Sequence, residues 1–276
     1  MDAIFKFNSA TRLYALFGDP VAHSLGPVMH NAAFQEQKIN AVYLAFKVPS
    51  VDKAIAAIKT LDIAGASITI PHKEAVIPLL DGVDDFARSM GAVNTIVNRN
   101  GKLFGYNTDF MGAVDPIERL CDLKGRRVVV FGAGGVARAV IFGVKQRGAI
   151  PFIVNRSKDR GKKLADELGA DFISSDDVQI VDPEIIVNAT ALGMAPATDG
   201  IPLDPEILKP SMVVMDVVYT PVETALIQAA RKKGCTVIDG MSMFVTQGAL
   251  QFRFFTGKKP SVKTMKSALL KALEKR

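Results

Sequence analysis

The sequence predicts an α/β protein of two successive units, and three observations predict it. Over the first 110 residues, strand-like and helix-like apolar patterns alternate in the order βαβαβ. A β-branched run, Val128-Val129-Val130-Phe131, passes through Gly132-Ala133-Gly134-Gly135-Val136-Ala137 straight into a helical pattern, the layout of a strand, a phosphate-binding turn and a helix start. From there to about residue 240, further strand and helix patterns alternate.

The elements follow in order. Residues 12–18 are an apolar strand. The loop 19–27 ends in Pro27, which suits the first turn of a helix running to about Gln37. Residues 41–48 alternate as a strand, 50–60 have helical spacing, and a third strand from Ile63 to Ile70 stops at Pro71. Asn100-Gly101 between apolar runs signals a hairpin. Asn107-Thr108-Asp109 can cap a helix from about 110 to 120. Strands at 150–154, 184–188, 213–218 and 235–238 alternate with helices at 157–168 and 222–233. A long helix runs from Met241 to Phe255, and a last one from about 261 to the end.

The 276 residues suit one large or two modest domains, and 49% hydrophobic with 22% charged residues suits a globular core. No apolar run approaches the roughly 20 residues of a membrane span, and the N-terminal residues lack a secretory-signal pattern. Cys121 and Cys235 lack metal-type spacing and read as free thiols in a reducing cytoplasm. The net charge of +6 is dispersed, with no aromatic-interleaved basic stripe, so it suits small anionic partners at least as well as nucleic acid. Neither a nucleic-acid nor a membrane partner is expected. Lys258, Lys259, Lys263, Lys266, Lys271 and Lys275 are expected on the solvated face of the last helix.

In the glycine turn, Gly132 permits the sharp bend, Gly134 lets backbone approach a pyrophosphate, and Ala137 is small enough for close helix–strand packing. The next strand ends in Asn155-Arg156-Ser157, with Lys158 and Arg160 behind, where an NAD-preferring unit places a carboxylate for the ribose hydroxyl. A guanidinium there binds a 2′-phosphate through forked, charge-assisted bonds, so the cofactor reading is NADP(H). The small polar loop Asn188 to Met194 is expected along that cofactor. Lys73 stands just past the third strand, at the carboxyl edge where open α/β sheets bind ligands, and can serve in proton transfer; the plain alternative is a surface lysine. Asp109 is either a helix cap or a partner in that chemistry.

With these pieces in order, the chain resembles the shikimate dehydrogenase family along nearly its whole length. Gly18 to Ser24 with Pro27 and His30-Asn31 resembles its substrate-carboxylate loop, and Thr69 to Glu74 the segment of its catalytic lysine. Gly91 to Thr95 and Gly105 to Asp109 resemble the segments bringing a substrate-binding asparagine and the catalytic aspartate. Asp216 to Pro221 and Met243 to Gly248 resemble its closing segments. The resemblance implies a substrate domain of residues 1–110 and 241–276, to which the C-terminal helices return, and a Rossmann-type NADP-binding domain of residues 111–240. It implies reversible reduction of 3-dehydroshikimate to shikimate, with Lys73 and Asp109 as the acid–base pair. Ser24, Ser67, Thr69, Asn94, Tyr219 and Gln247 would bind the small anionic carbocyclic substrate. Gly132, Ala133, Gly134, Gly135, Val136, Ala137, Asn155, Arg156, Ser157, Arg160, Ala189, Thr190, Val217, Gly240 and Met243 would hold NADP(H). A cytoplasmic monomer or homodimer is expected.

Three departures bear on the substrate. The family's Ser-x-Ser loop is Ser24-Leu25-Gly26 here, and a missing hydrogen bond to a charged group is worth roughly 1.5–3 kcal/mol. Ser67 stands where asparagine is common, and Phe110 follows Asp109 where glycine is usual, which is expected to set a bulky ring beside the acid–base pair. A relative acting on quinate or another hydroxy-cyclohexene carboxylate is therefore the alternative within the family. A non-catalytic nucleotide-binding regulator is the alternative of another class. His23, His30 and His72 form no metal set; His23 and His30 are expected as structural hydrogen-bonding residues, and His72 as a shaper of the pocket.

Overall fold

The computed structural model of the chain describes residues 7–274. It divides into two compact units, Met1–Thr108 with Gln247–Arg276, and Asp109–Thr246.

Unit 1 contains β1 (Arg12–Gly18), α1 (Gly26–Glu36), β2 (Ala41–Lys47), α2 (Val51–Thr60), β3 (Gly65–Ile68), β4 (Gly82–Val83), α3 (Asp85–Met90), β5 (Thr95–Arg99) and β6 (Lys102–Tyr106). Its sheet order is β2-β1-β3-β5-β6-β4. The first three strands are parallel, and β5 runs antiparallel to both β3 and β6. Tyr14 to Gly18 are buried on both faces of the sheet, the continuous apolar pattern of a parallel strand covered on both sides. Val51, Ala54, Ile55 and Ile58 give α2 one buried stripe, with Asp52 in its first turn and Lys59 in its last, complementing the helix dipole. Asn100 (φ 54°) and Gly101 (φ 85°) turn the β5–β6 hairpin as expected. The third strand is shorter than expected and stops at Ile68. Beyond it, Thr69 N–H donates to the Phe17 carbonyl and Asp19 N–H to the Ile70 carbonyl, so the loops after β1 and β3 are stitched together. Gly18 permits this approach, because a Cβ there would lie 2.2 Å from Thr69 Cγ2. The helix α3, absent from the pattern reading, is capped by the Asp84 side chain and closed by left-handed Gly91.

Unit 2 contains α4 (Asp109–Glu118), β7 (Arg127–Phe131), α5 (Gly135–Gln146), β8 (Ile150–Val154), α6 (Lys158–Leu168), β9 (Asp171–Phe172), α7 (Val178–Val181), β10 (Ile185–Asn188), β11 (Val213–Asp216), α8 (Ala225–Lys232) and β12 (Thr236–Ile238). The sheet is parallel, in the order β12-β11-β10-β7-β8-β9, so the strand order reverses between β7 and β10. Val128 and Val130 of β7 pack with Ala137, Val140 and Ile141 of α5 in its core. Phe110 has an aromatic partner within unit 2. Its buried ring meets Phe142 of α5 edge-on, at 5.9 Å and 89°, because the position after Asp109 faces the α4–α5 interface.

Helix α9 (Gly240–Thr256) spans the boundary in sequence, with Gln247 onward in unit 1, followed there by α10 (Val262–Leu273). Lys263 and Lys271 of α10 are exposed, whereas Lys258 and Lys259 lie in the connection before it rather than on its face, and Lys275 is outside the described residues. Cys121 and Cys235 are free, and burial pushes both thiols up, away from thiolate. No helix among the described residues is long and apolar enough to cross a membrane.

Candidate active site

In unit 1, the register places the polar candidates at one end of one sheet. Ser67 pairs with Thr95, and Thr95 with Tyr106, so the ends of β3 and β6 meet the start of β5. Thr69 and Lys73 follow β3, Ser24 follows β1, and Asn94 immediately precedes β5. This is the carboxyl edge of β1, β2 and β3, where ligands bind in open α/β sheets. Ser24 Oγ accepts from Gly26 N–H at 3.2 Å, which leaves its hydroxyl proton to donate. The Thr69 side chain is half-buried. Asn94 Oδ1 accepts from Thr108 N–H at 2.9 Å and from Thr95 Oγ1 at 2.7 Å, while Nδ2 donates to Thr108 Oγ1 at 3.0 Å. Thr108 Oγ1 in turn lies 3.4 Å from Gln247 Oε1, so Gln247 reaches the same edge from α9.

Lys73 is half-buried, and its carbonyl accepts from Val93 N–H at 2.9 Å, which ties it to the segment carrying Asn94. His72 beside it is buried, with Nε2 3.0 Å from the Val48 carbonyl. Asp109 is buried and opens α4, directly after Thr108. His30 is held chiefly by ring stacking rather than by the hydrogen bonds expected of it. Its buried ring stacks on Tyr43 at 4.4 Å, and neither nitrogen meets hydrogen-bond geometry with a described residue. Burial lowers its pKa to about 4, against a smaller opposing effect of the Gln251 side chain.

In unit 2, the glycine turn, Asn155 and Ala189 follow β7, β8 and β10, whose last residues Phe131, Val154 and Asn188 are in register. They therefore stand together at the carboxyl edge, where the strand order reverses. Gly132 has φ 118°, and a Cβ there would lie 2.8 Å from the Ala189 carbonyl oxygen, so the position requires glycine. Nothing lies within 4 Å of a Cβ built on Gly134, and Gly135 opens α5. The turn therefore offers open backbone at a helix start, and it fits a pyrophosphate. Val136 is half-buried, and Ala133 packs against the core below. Asn188 organises the next loop: Oδ1 accepts from Thr190 N–H and Oγ1, and Nδ2 donates to the Leu192 carbonyl and to Asp216 Oδ1. Asp216 also accepts from Val218 N–H and Thr224 Oγ1; burial pushes its carboxyl up, and these bonds oppose the shift.

A cleft of about 620 Å³ lies beside this edge, lined in part by Asn155, Arg156, Lys158, Ser174 and Thr190. Ser157 caps α6, so Arg156 and Lys158 crowd a helix N-terminus, which is unfavourable for cations unless an anion is present. The donors fit a 2′-phosphate. Arg160 lies further along α6, exposed, with its N–H on Ser157 Oγ, and Lys158 rather than Arg160 lines the cleft. Met243 is packed in the core of unit 2, with Val217 half-buried against it, and Gly240 is the first residue of α9. Tyr219 stacks on Phe244 at 4.8 Å within unit 2, apart in sequence from the five substrate candidates of unit 1.

Three family models match the chain: the shikimate dehydrogenase substrate binding domain over residues 16–96, shikimate / quinate 5-dehydrogenase over 117–195, and the shikimate 5′-dehydrogenase C-terminal domain over 240–270. A shikimate dehydrogenase (NADP(+)) of Geobacillus sp. strain WCH70 is 44% identical, across 95% of this chain and 99% of its own. The chain belongs to the shikimate dehydrogenase family. Among solved members, a shikimate dehydrogenase in complex with NADP+ superposes with a TM-score of 0.92 at 38% identity, covering 97% of this chain and 98% of that one. The enzyme of Thermus thermophilus, in complex with NADP(H) and shikimate, gives 0.87 at 34%, covering 95% and 100%.

Within this family member, three polar residues at the edge of unit 1 escaped the sequence reading. Tyr43 reads as strand core and carries no signal of its own. Gln251 lies one helical turn after Gln247, a spacing that could have exposed it. Thr108 reads only as part of a helix cap, whereas it joins Asn94 to Gln247.

Proposed function

We propose that this chain catalyses the reversible, NADP-dependent reduction of 3-dehydroshikimate to shikimate, with unit 1 holding the substrate and unit 2 the cofactor. One observation carries the reading. Thr69, Lys73, Asn94 and Gln247 are gathered at a single sheet edge, in a chain 44% identical to a relative named for this activity. Ser24 and Thr69 supply hydroxyls to the substrate's carboxylate and ring, and Asn94, Gln247 and Tyr219 supply further polar contacts. Lys73 and Asp109 take up and return the proton of the reacting hydroxyl, help worth on the order of 10²–10⁴-fold. NADP(H), when bound, supplies the hydride-exchanging carbon. Gly132 to Ala137 cradle its pyrophosphate through backbone N–H groups, and Arg156 with Lys158 holds the 2′-phosphate. The protein acts as a cytoplasmic enzyme.

The Ser24-Leu25-Gly26 loop favours one second reading, turnover of quinate in place of shikimate. Steady-state oxidation of shikimate and of quinate, each with NADP and with NAD, tests both. High efficiency with shikimate and NADP supports the first reading. Better turnover of quinate moves the assignment within the family, and turnover of neither overturns both readings.

A further inference from the structure

Gly26 and Ser67, two of the positions where the chain departs from its family's pattern, converge on one side chain. A Cβ at Gly26 would lie 3.7 Å from the Tyr43 hydroxyl and 3.3 Å from Ser24 Oγ. The Tyr43 hydroxyl lies 2.6 Å from Ser67 Oγ. Gly26 and His30 are one turn apart on α1 and address the same ring, the glycine near its hydroxyl and the imidazole stacked on its face.

The direction of the bonds is set from the far end. The Asn94 carbonyl can only accept, so Gln251 presents Nε2 to it, at 3.3 Å. Gln251 Oε1 then faces Ser67, and Ser67 must donate to it, at 2.9 Å. Ser67 Oγ therefore accepts from Tyr43. The Ser67 proton is committed and one incoming bond is filled, so toward a ligand it can only accept.

Resting on the function proposed above, we propose that Tyr43 is a positioning residue for substrate specificity: across the space left by Gly26, its hydroxyl anchors Ser67 Oγ, whose own proton goes to Gln251, where that oxygen accepts from a ring hydroxyl of the substrate. A serine at position 26 would bring an acceptor within reach of that hydroxyl and compete with Ser67 for its proton.

The test is steady-state kinetics with shikimate and NADP on Tyr43→Phe, Ser67→Ala, the double variant and Gly26→Ser, with thermal midpoints to check folding. Tyr43→Phe and Ser67→Ala each raise the KM for shikimate about two- to tenfold, as expected for a neutral hydrogen bond, with kcat and the KM for NADP nearly unmoved. The double variant is no worse than the worse single one, since both break one relay. Gly26→Ser gains a carboxylate bond in both backgrounds and loses the relay only in the parent, so it improves KM more when combined with Tyr43→Phe than in the parent. An unmoved KM in Tyr43→Phe overturns the proposal, as do multiplying losses in the double variant or an equal effect of Gly26→Ser in both backgrounds. Should Tyr43→Phe not fold, an unmoved KM in Ser67→Ala overturns it. A parent that turns over no shikimate refutes the functional reading, whereas an active parent with indifferent variants refutes this inference alone.

Discussion

His30 should make the stability of unit 1 depend on pH where most carboxylates no longer titrate. The imidazole is wholly buried, with its pKa lowered from 6.5 to about 4 by burial. Because the folded-state value is the lower one, the group costs nothing above pH 6.5, and stability is lost as pH falls from there through about 4. At about pH 5 the loss is about 1.36 × (6.5 − 5), or about 2 kcal/mol, and it levels off near about 3 kcal/mol in stronger acid. Replacing His30 by Leu removes both ring nitrogens and should abolish this component of the pH slope, whatever its effect at neutral pH. Urea unfolding near about pH 7.5 and about pH 5 measures it. There is no tryptophan, and Tyr14, Tyr43 and Tyr106 of the four tyrosines lie in unit 1, so tyrosine fluorescence reports chiefly on that unit. With only three histidines, a ring-carbon NMR titration assigns the group directly. Equal pH slopes in parent and variant, or a His30 ring titrating near 6.5, would refute the reasoning.

Three further outcomes follow from the site. Arg156→Ala should weaken NADP far more than NAD, by about ten- to a hundredfold for one charge-assisted bond; equal losses by binding titration would mean that Arg156 does not read the 2′-phosphate. Lys73→Ala and Asp109→Asn should each lower kcat by roughly 10²–10⁴-fold while NADP still binds, and a fall of less than about tenfold in both would remove them from the proton transfer. Asp216→Ala leaves the Thr224 hydroxyl, Val218 N–H and an Asn188 amide proton without their buried acceptor, so it should destabilise unit 2 by on the order of 3–5 kcal/mol, and an unchanged urea midpoint would contradict that hub.

What could be read in the sequence was what local period and backbone chemistry determine. The stripe of α2, the Asn100-Gly101 hairpin and the glycine turn after β7 depend on neighbours in the chain, and each is where its pattern places it. Two-residue strands such as β9 and the single-turn α7 are too short to carry a period. Phe110 shows what adjacency leaves out. It follows Asp109, but successive helical residues point about 100° apart, so the ring turns to Phe142 across the α4–α5 interface. The polarity of His30 points to hydrogen bonding, whereas its place is decided by the Tyr43 ring it covers.

The polarity of the Tyr43–Ser67–Gln251 line marks a deeper limit of residue-by-residue reading. Taken alone, Ser67 is a hydroxyl that can give or accept, and Gln251 an amide with two equivalent faces. Their roles become definite only because the line ends on the Asn94 carbonyl, a backbone group that cannot donate and that a register between distant segments delivers to α9. The same register sets Ser67 beside Thr95, whose hydroxyl bonds the Asn94 side chain. One residue thus fixes the edge twice, through its carboxamide toward Thr108 and through its carbonyl toward Gln251. A substitution at Asn94 should consequently disturb Gln247 through Thr108 while leaving the Gln251–Ser67 line, which ends on a backbone carbonyl that every residue keeps; a substitution at Ser24, whose oxygen is held by the local Gly26 N–H, should leave both in place.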